Sequence, residues 1–250
     1  MNEIIEWIKE YVTKNNMEAL VIGISGGIDS ALTSTLCAET GVKTILVSMP
    51  IHQQQIQLSR AHNHIKWLKN KYDNVSSMEI NLSHVYDTFE MMFADNVNKL
   101  ALANSRARLR MTTLYQIAQT NNGLVVGTGN KVEDFGVGFF TKYGDGGVDI
   151  SPIADLMKSQ VRKLSKDLDI CDEILQAPPT DGLWGDDRTD EDQLGATYDE
   201  LEWAMNYTEG TLEDYSCTDR QQEVVEIYNK FNKQNKHKMR PIPVFIKNRK

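Results

Sequence analysis

The stretch Gly23-Ile24-Ser25-Gly26-Gly27-Ile28-Asp29-Ser30 is the part of this chain best suited to chemistry. It lies between an apolar, β-rich run at 19–24 and a segment with helical spacing from Asp29 to Glu39. Two adjacent glycines let the backbone approach an anion closely, and a helix beginning behind them offers unpaired N–H groups and a partial positive charge. Ser25 and Ser30 add hydroxyl donors, so phosphate groups fit there. No Lys-Ser/Thr follows the glycines, which excludes a Walker A loop, and the spacing fails the G-x-G-x-x-G pattern. Asp29 would repel a phosphate unless a divalent cation lay between them, so as a nucleotide site the loop implies Mg2+. Two blander readings stand beside it: Asp29 as the helix N-cap, and the serine-glycine turn as a tight connection.

Further groups follow downstream. Asn104, Arg108 and Tyr115 share one face of a predicted helix, and an Arg with an Asn one turn away suits a phosphate or carboxylate. Arg106 and Arg110 share another face and read as a solvated basic stripe. Thr128 and Glu133 follow the carboxyl end of a predicted strand, where ligands of open α/β sheets gather. Lys142, Asp145 and Asp149 sit in a glycine-dense stretch, where a lysine near phosphates and a carboxylate near an incoming amine are both useful. On spacing alone Lys158 is an ordinary surface lysine, and His237 and Lys238 belong to a disordered basic tail.

The elements that must position these groups alternate. Strands are expected at 19–24, 44–49, 77–80 and 124–128, with helices at 56–69 and 95–120 among the intervening segments. Buried strands separated by helices predict an α/β fold, a Rossmann-like open parallel sheet with helices on both faces. Five glycines between Gly136 and Gly147 predict a long functional loop, and the polar stretch 178–192 reads as a mobile lid. A last helix is expected at about 218–232.

The 250 residues, 40% hydrophobic and 25% charged, suit one globular domain spanning 1–250. A net charge of -8 without a Lys/Arg run argues against nucleic acid, and the lack of a run of about 18 apolar residues argues against a membrane span. Cys37, Cys171 and Cys217 form no paired motif, which fits a reducing cytoplasm.

Ser25, Gly26, Gly27, Asp29 and Ser30 match every fixed position of SGGxDS, the signature of the ATP pyrophosphatase superfamily, which this chain resembles. NSRARLRM at 104–111, GTGNKVED at 127–134, FFTKYGDGGVDISPI at 139–153 and Pro179-Thr180-Asp181 resemble the ammonia-dependent NAD synthetase family over nearly the whole chain. The resemblance implies an adenine nucleotide alpha hydrolase-like fold and ATP-dependent amidation of deamido-NAD through an acyl-adenylate. It assigns ATP to 23–30, Thr128, Lys158 and Thr180, and Mg2+ to Asp29 and Glu133. It assigns deamido-NAD to Arg108, Lys142, Asp149, His237 and Lys238, with Asp149 and Lys158 as catalytic groups. Many family members have one residue fewer between this Glu and the FFTK segment, which leaves Asp134 as the alternative metal carboxylate. The resemblance also implies a homodimer without a glutaminase domain, supplied with free ammonia. Two competing expectations are another amidating or tRNA-modifying member of the superfamily and a regulatory module that holds ATP without chemistry.

Overall fold

The computed structural model describes residues 1–93, 98–180, 189–211 and 217–247. Four strands, β1 (Ala19–Gly23), β2 (Lys43–Ser48), β3 (Val75–Glu79) and β4 (Gly123–Val125), form one sheet in the order β3-β2-β1-β4. Every pairing is parallel, with Val21 opposite both Ile45 and Val125. The strand residues alternate between two cores. Leu20, Ile22 and Leu46 pack with α1 (Asn2–Lys14), α2 (Ile28–Glu39) and α3 (Gln55–Lys71) on one face. Ala19, Val21, Ile45 and Val47 pack with α4 (Ser83–Met91) and α5 (Lys99–Thr120) on the other. The predicted open parallel sheet with helices on both faces is therefore present. No helix among the described residues is long and apolar enough to cross a membrane.

The chain runs from β1 outward to β2 and β3, then returns to place β4 on the other side of β1. That reversal opens a crevice at the carboxyl ends of β1 and β4, the position where such sheets bind ligands. The glycine loop leaves β1 there, and Gly127-Thr128-Gly129 leaves β4 beside it.

After β4 come α6 (Lys158–Asp167), α7 (Asp172–Leu175), α8 (Asp190–Leu194), α9 (Tyr198–Thr208) and α10 (Asp219–Met239). A third apolar cluster joins α9 and α10 through Leu201, Met205, Val224 and Tyr228. It also holds Val132 and Val137 of a π-helix spanning Val132–Val137, which runs into the start of the glycine-dense stretch expected to be a loop.

Two further expectations change. The helix expected from Asp95 begins at Lys99, because the Asn98 side chain accepts a hydrogen bond from the Ala101 amide and caps it. The last helix continues to Met239, so His237 and Lys238 sit in its final turn rather than in a tail. Lys236, His237 and Lys238 suit that position, where the helix dipole favours cations. The expected lid falls mostly on 181–188, including Asp181, which lies outside the described residues.

Beneath the glycine loop, α3 is fastened to α2 by a buried hydrogen bond of 2.9 Å between His64 Nε2 and Ser34 Oγ. Burial lowers the His64 pKa from 6.5 to about 4. Between those values the unfolded chain takes up a proton that the native imidazole refuses, so stability present above pH 6.5 drains away as pH falls through about 4. The full span is worth about 3 kcal/mol. His64→Gln should flatten this acid limb, so that its urea stability relative to wild type improves between pH 7 and pH 4.5; an unchanged difference between the two pH values would contradict the assignment.

Candidate active site

A cavity of about 720 Å3 opens at the crevice. Its floor is the loop after β1. Gly26 has φ +84, and a Cβ there would lie 2.6 Å from the Gln57 carbonyl oxygen of α3, so the turn demands glycine. Gly26 thus faces α3, while Gly23, Ile24, Ser25, Gly27, Ile28, Asp29 and Ser30 line the cavity. Ser25 Oγ accepts from the Gly27 amide at 3.2 Å and meets Ser30 Oγ at 3.1 Å, fixing the loop's curvature. Gly27 is the N-cap of α2, and no side chain caps that end. The first amides of α2 therefore open on the cavity with their partial positive charge uncompensated by a cap. Asp29 lies in the first turn and is not the cap.

Lys158, the first residue of α6, is the centre of the site. Its Nζ donates to Asp29 Oδ2 at 2.6 Å and to Glu133 Oε1 at 3.0 Å, and its side chain is only 3% exposed. Burial acts to lower the lysine pKa, yet the charges of Asp29 and Glu133 outweigh it and raise the value. Burial also opposes ionisation of Glu133, but Lys158 and hydrogen bonds from Tyr198 and Asn130 hold its pKa below the ordinary value. For Asp29 burial prevails over Lys158, and its pKa is raised. The expectation of an ordinary surface lysine at 158 is corrected: α6 packs against α2 and carries the ammonium inward.

The π-helix turns the two candidate carboxylates after β4 to different neighbours. A π-turn accommodates one more residue than an α-turn. Glu133 reaches Lys158, whereas Asp134 lies against Gly129, occupying the space a side chain there would need. Burial, then the charges of Glu133, Asp145 and Asp29, push Asp134 up to about 8. Asn130, fully buried, joins the parts: its Nδ2 donates to Asp29 Oδ1 at 3.1 Å and its Oδ1 accepts from the Glu133 amide at 3.2 Å. Sequence reasoning gave Asn130 no role, although the quoted GTGNKVED segment contains it.

Most of the other predicted residues also line the cavity. Arg108 donates to the Lys142 carbonyl at 3.3 Å, Lys142 Nζ to the His237 carbonyl at 3.1 Å, and Lys238 Nζ to the Phe140 carbonyl at 2.7 Å. All four line the cavity, as do Thr128 and Thr180. Arg110 is a correction: it is not on a solvated stripe but donates to the Met49 carbonyl and Gln53 Oε1, each at 3.0 Å, and lines the cavity. Burial, then Arg106, lowers its pKa to about 10. Asp149 is not brought to the cavity wall with the rest. Its Oδ1 accepts from the Tyr115 hydroxyl of α5 at 3.0 Å and its Oδ2 from the Val125 amide of β4 at 2.8 Å, so the two oxygens tie the returning loop to α5 and to β4. Asp145 does line the cavity and accepts from the Thr141 amide at 2.9 Å.

The arrangement pairs an anion-binding helix end with a buried two-carboxylate cation position and a separate cationic wall. A family model described as NAD synthase matches residues 1–242. The NH(3)-dependent NAD(+) synthetase of Mesoplasma florum is 38% identical over 224 residues, 88% of each chain. A solved NMN synthetase from Francisella tularensis is 32% identical, covers 97% of this chain and 95% of its own, and overlays with a TM-score of 0.86. The NH3-dependent NAD synthetase of Campylobacter jejuni, 24% identical over 98% of this chain and 96% of its own, shares the fold with a TM-score of 0.80. From the match along residues 1–242 and the likeness of whole chains, this protein belongs to the NAD synthase family.

Proposed function

We propose that this enzyme amidates deamido-NAD to NAD, spending ATP to AMP and pyrophosphate and taking ammonia as the nitrogen donor. The observation that carries the reading is the meeting, in one cavity of a NAD synthase family member, of the α2 amides, the Asp29–Lys158–Glu133 cluster and the cationic wall. The cationic wall beside that cluster argues against a module that merely holds ATP, because it offers a place for a second anionic substrate.

The nicotinate carboxylate attacks the α-phosphorus of ATP, and pyrophosphate leaves. Ammonia then attacks the acyl carbon, AMP leaves with the bridging oxygen, and the amide nitrogen loses a proton. In this reading the α2 amides with Ser25 and Ser30 take the pyrophosphate oxygens, and Thr128 and Thr180, which also line the cavity, contact ATP. The ammonium of Lys158 stands where a cation satisfies both Asp29 and Glu133, so these residues fit Mg2+ as its protein ligands. Bound there, Mg2+ would neutralise developing phosphate charge. Arg108, Lys142, His237 and Lys238 supply the positive wall for the dinucleotide's own pyrophosphate. For the ammonia step the geometry favours Asp145, in the cavity wall, over Asp149, whose oxygens are engaged.

A second reading has its own observation. The Francisella structure, named an NMN synthetase, overlays this chain at a TM-score of 0.86, above the 0.80 of the Campylobacter NAD synthetase. The same chemistry on nicotinate mononucleotide would yield NMN. Family resemblance further supports a cytoplasmic homodimer, and exposed Val85, Met91, Phe93 and Leu100 of the α4–α5 region offer apolar surface for that contact.

Purified protein given ATP, Mg2+, ammonium and either deamido-NAD or nicotinate mononucleotide should form AMP with the amidated product, with the higher kcat/KM on deamido-NAD. A higher value on the mononucleotide would select the second reading, and no AMP with either would refute both. Asp29→Asn should lower kcat about 10²–10³-fold while leaving Tm within a few degrees, because Glu133 still pairs with Lys158. Gly26→Ala should cost about 1–3 kcal/mol of stability and raise the KM for ATP, since a positive φ and the α3 backbone both oppose the added Cβ. Normal turnover in Asp29→Asn, or wild-type stability and KM in Gly26→Ala, would contradict these roles.

A further inference from the structure

Tyr198 has no contact with the cavity, yet it touches two of the three charges at its centre. It is the first residue of α9 and fully buried. Its hydroxyl donates to Glu133 Oε1 at 2.5 Å and lies 3.4 Å from Asp190 Oδ2, while its ring centroid is 4.5 Å from Lys158 Nζ. The tyrosine is itself held in place. Thr197 and Glu200 form a reciprocal cap around the start of α9, and the Tyr198 amide donates to Glu191 Oε1 at 2.9 Å. Asp190 is anchored separately, its amide donating to the Pro179 carbonyl at 3.0 Å.

We propose that Tyr198 is a positioning residue for the reaction, whose phenol fixes the Glu133 carboxylate in the orientation that receives the metal–triphosphate. The inference rests on the function proposed above. Glu133 Oε1 accepts from both Lys158 and Tyr198. A carboxylate that takes a metal in place of an ammonium needs a second donor to hold its rotamer, and Tyr198 is that donor. Partners of this kind, one shell out from the metal, change metal affinity by roughly 10- to 100-fold when removed. Packing alone does not explain the hydroxyl: Leu201, Ala204 and Met205 surround the residue with apolar surface, and a phenylalanine would fill the same space.

Tyr198→Phe therefore isolates the hydroxyl. Mn2+ binding to the protein, saturated with a non-hydrolysable ATP analogue, is read by electron paramagnetic resonance, and the Mg2+ dependence of turnover is measured alongside. The Mn2+ dissociation constant and the half-activating Mg2+ concentration should both rise about 10-fold, with kcat at saturating Mg2+ within about threefold of wild type. Met205→Ala, a packing variant in the same apolar cluster, should lower Tm without moving either metal constant. Unchanged metal constants in Tyr198→Phe, equal shifts in Met205→Ala, or failure of Tyr198→Phe to fold would each overturn the proposal. Failure of the wild type to bind Mn2+ with nucleotide present would instead refute the underlying reading of the site.

Discussion

One buried ammonium between two carboxylates governs the architecture of this protein. Lys158, Asp29 and Glu133 come from the start of α6, the first turn of α2 and the π-helix, segments more than a hundred residues apart at the extremes. Bringing charges out of water is expensive, and removing the shared ammonium would leave both carboxylates uncompensated, at a cost of about 3–5 kcal/mol. Such a cluster is therefore a poor device for stability and a good one for function. It keeps two carboxylates close together that would otherwise repel each other, at the place where the proposed reaction needs a phosphate-bound cation.

The sheet explains why the cluster lies where it does. The reversal of strand order between β1 and β4 parts the loops leaving those two strands, and the loop after β1 turns directly into α2. Gly26 presses that loop onto α3, so its curvature is set by backbone packing and not by the ligand. Asn130 then ties the first turn of α2 to the π-helix after β4, coupling the two halves of the crevice through one buried amide. The cationic wall is built differently, from side chains that donate to carbonyls of Phe140, Lys142 and His237. Positive charge at that wall is thus displayed by segments held to one another through their own main chain.

Much of this was legible in the residues. All four strands, the glycine loop and the helix behind it follow from apolar runs interrupted by glycine, and the family motifs brought Arg108, Lys142, His237 and Lys238 into one group. What escaped has physical causes. The helix α4 buries only Tyr86 and so carries no apolar stripe to read. The π-helix occupies a glycine-rich segment, and its stabilising contacts come from α9 and α10, far along the chain. Asn130 reaches Asp29 and Tyr198 reaches Glu133 through hydrogen bonds across long sequence separations, which leave no periodic trace. Arg110 looked solvated because spacing reports helix faces, not the depth of the groove into which a face turns. Asp149 matched a motif whose letters do not show that its oxygens accept from Tyr115 of α5 and Val125 of β4.

The route of the carboxylate oxygen offers the most direct test of the account. Deamido-NAD labelled with 18O in both carboxylate oxygens, turned over once with ATP and ammonium, should deliver one labelled oxygen to AMP, seen as an isotope shift in its 31P resonance. AMP free of label, or label appearing in pyrophosphate, would contradict attack on the α-phosphorus and with it the arrangement of charges proposed around Lys158.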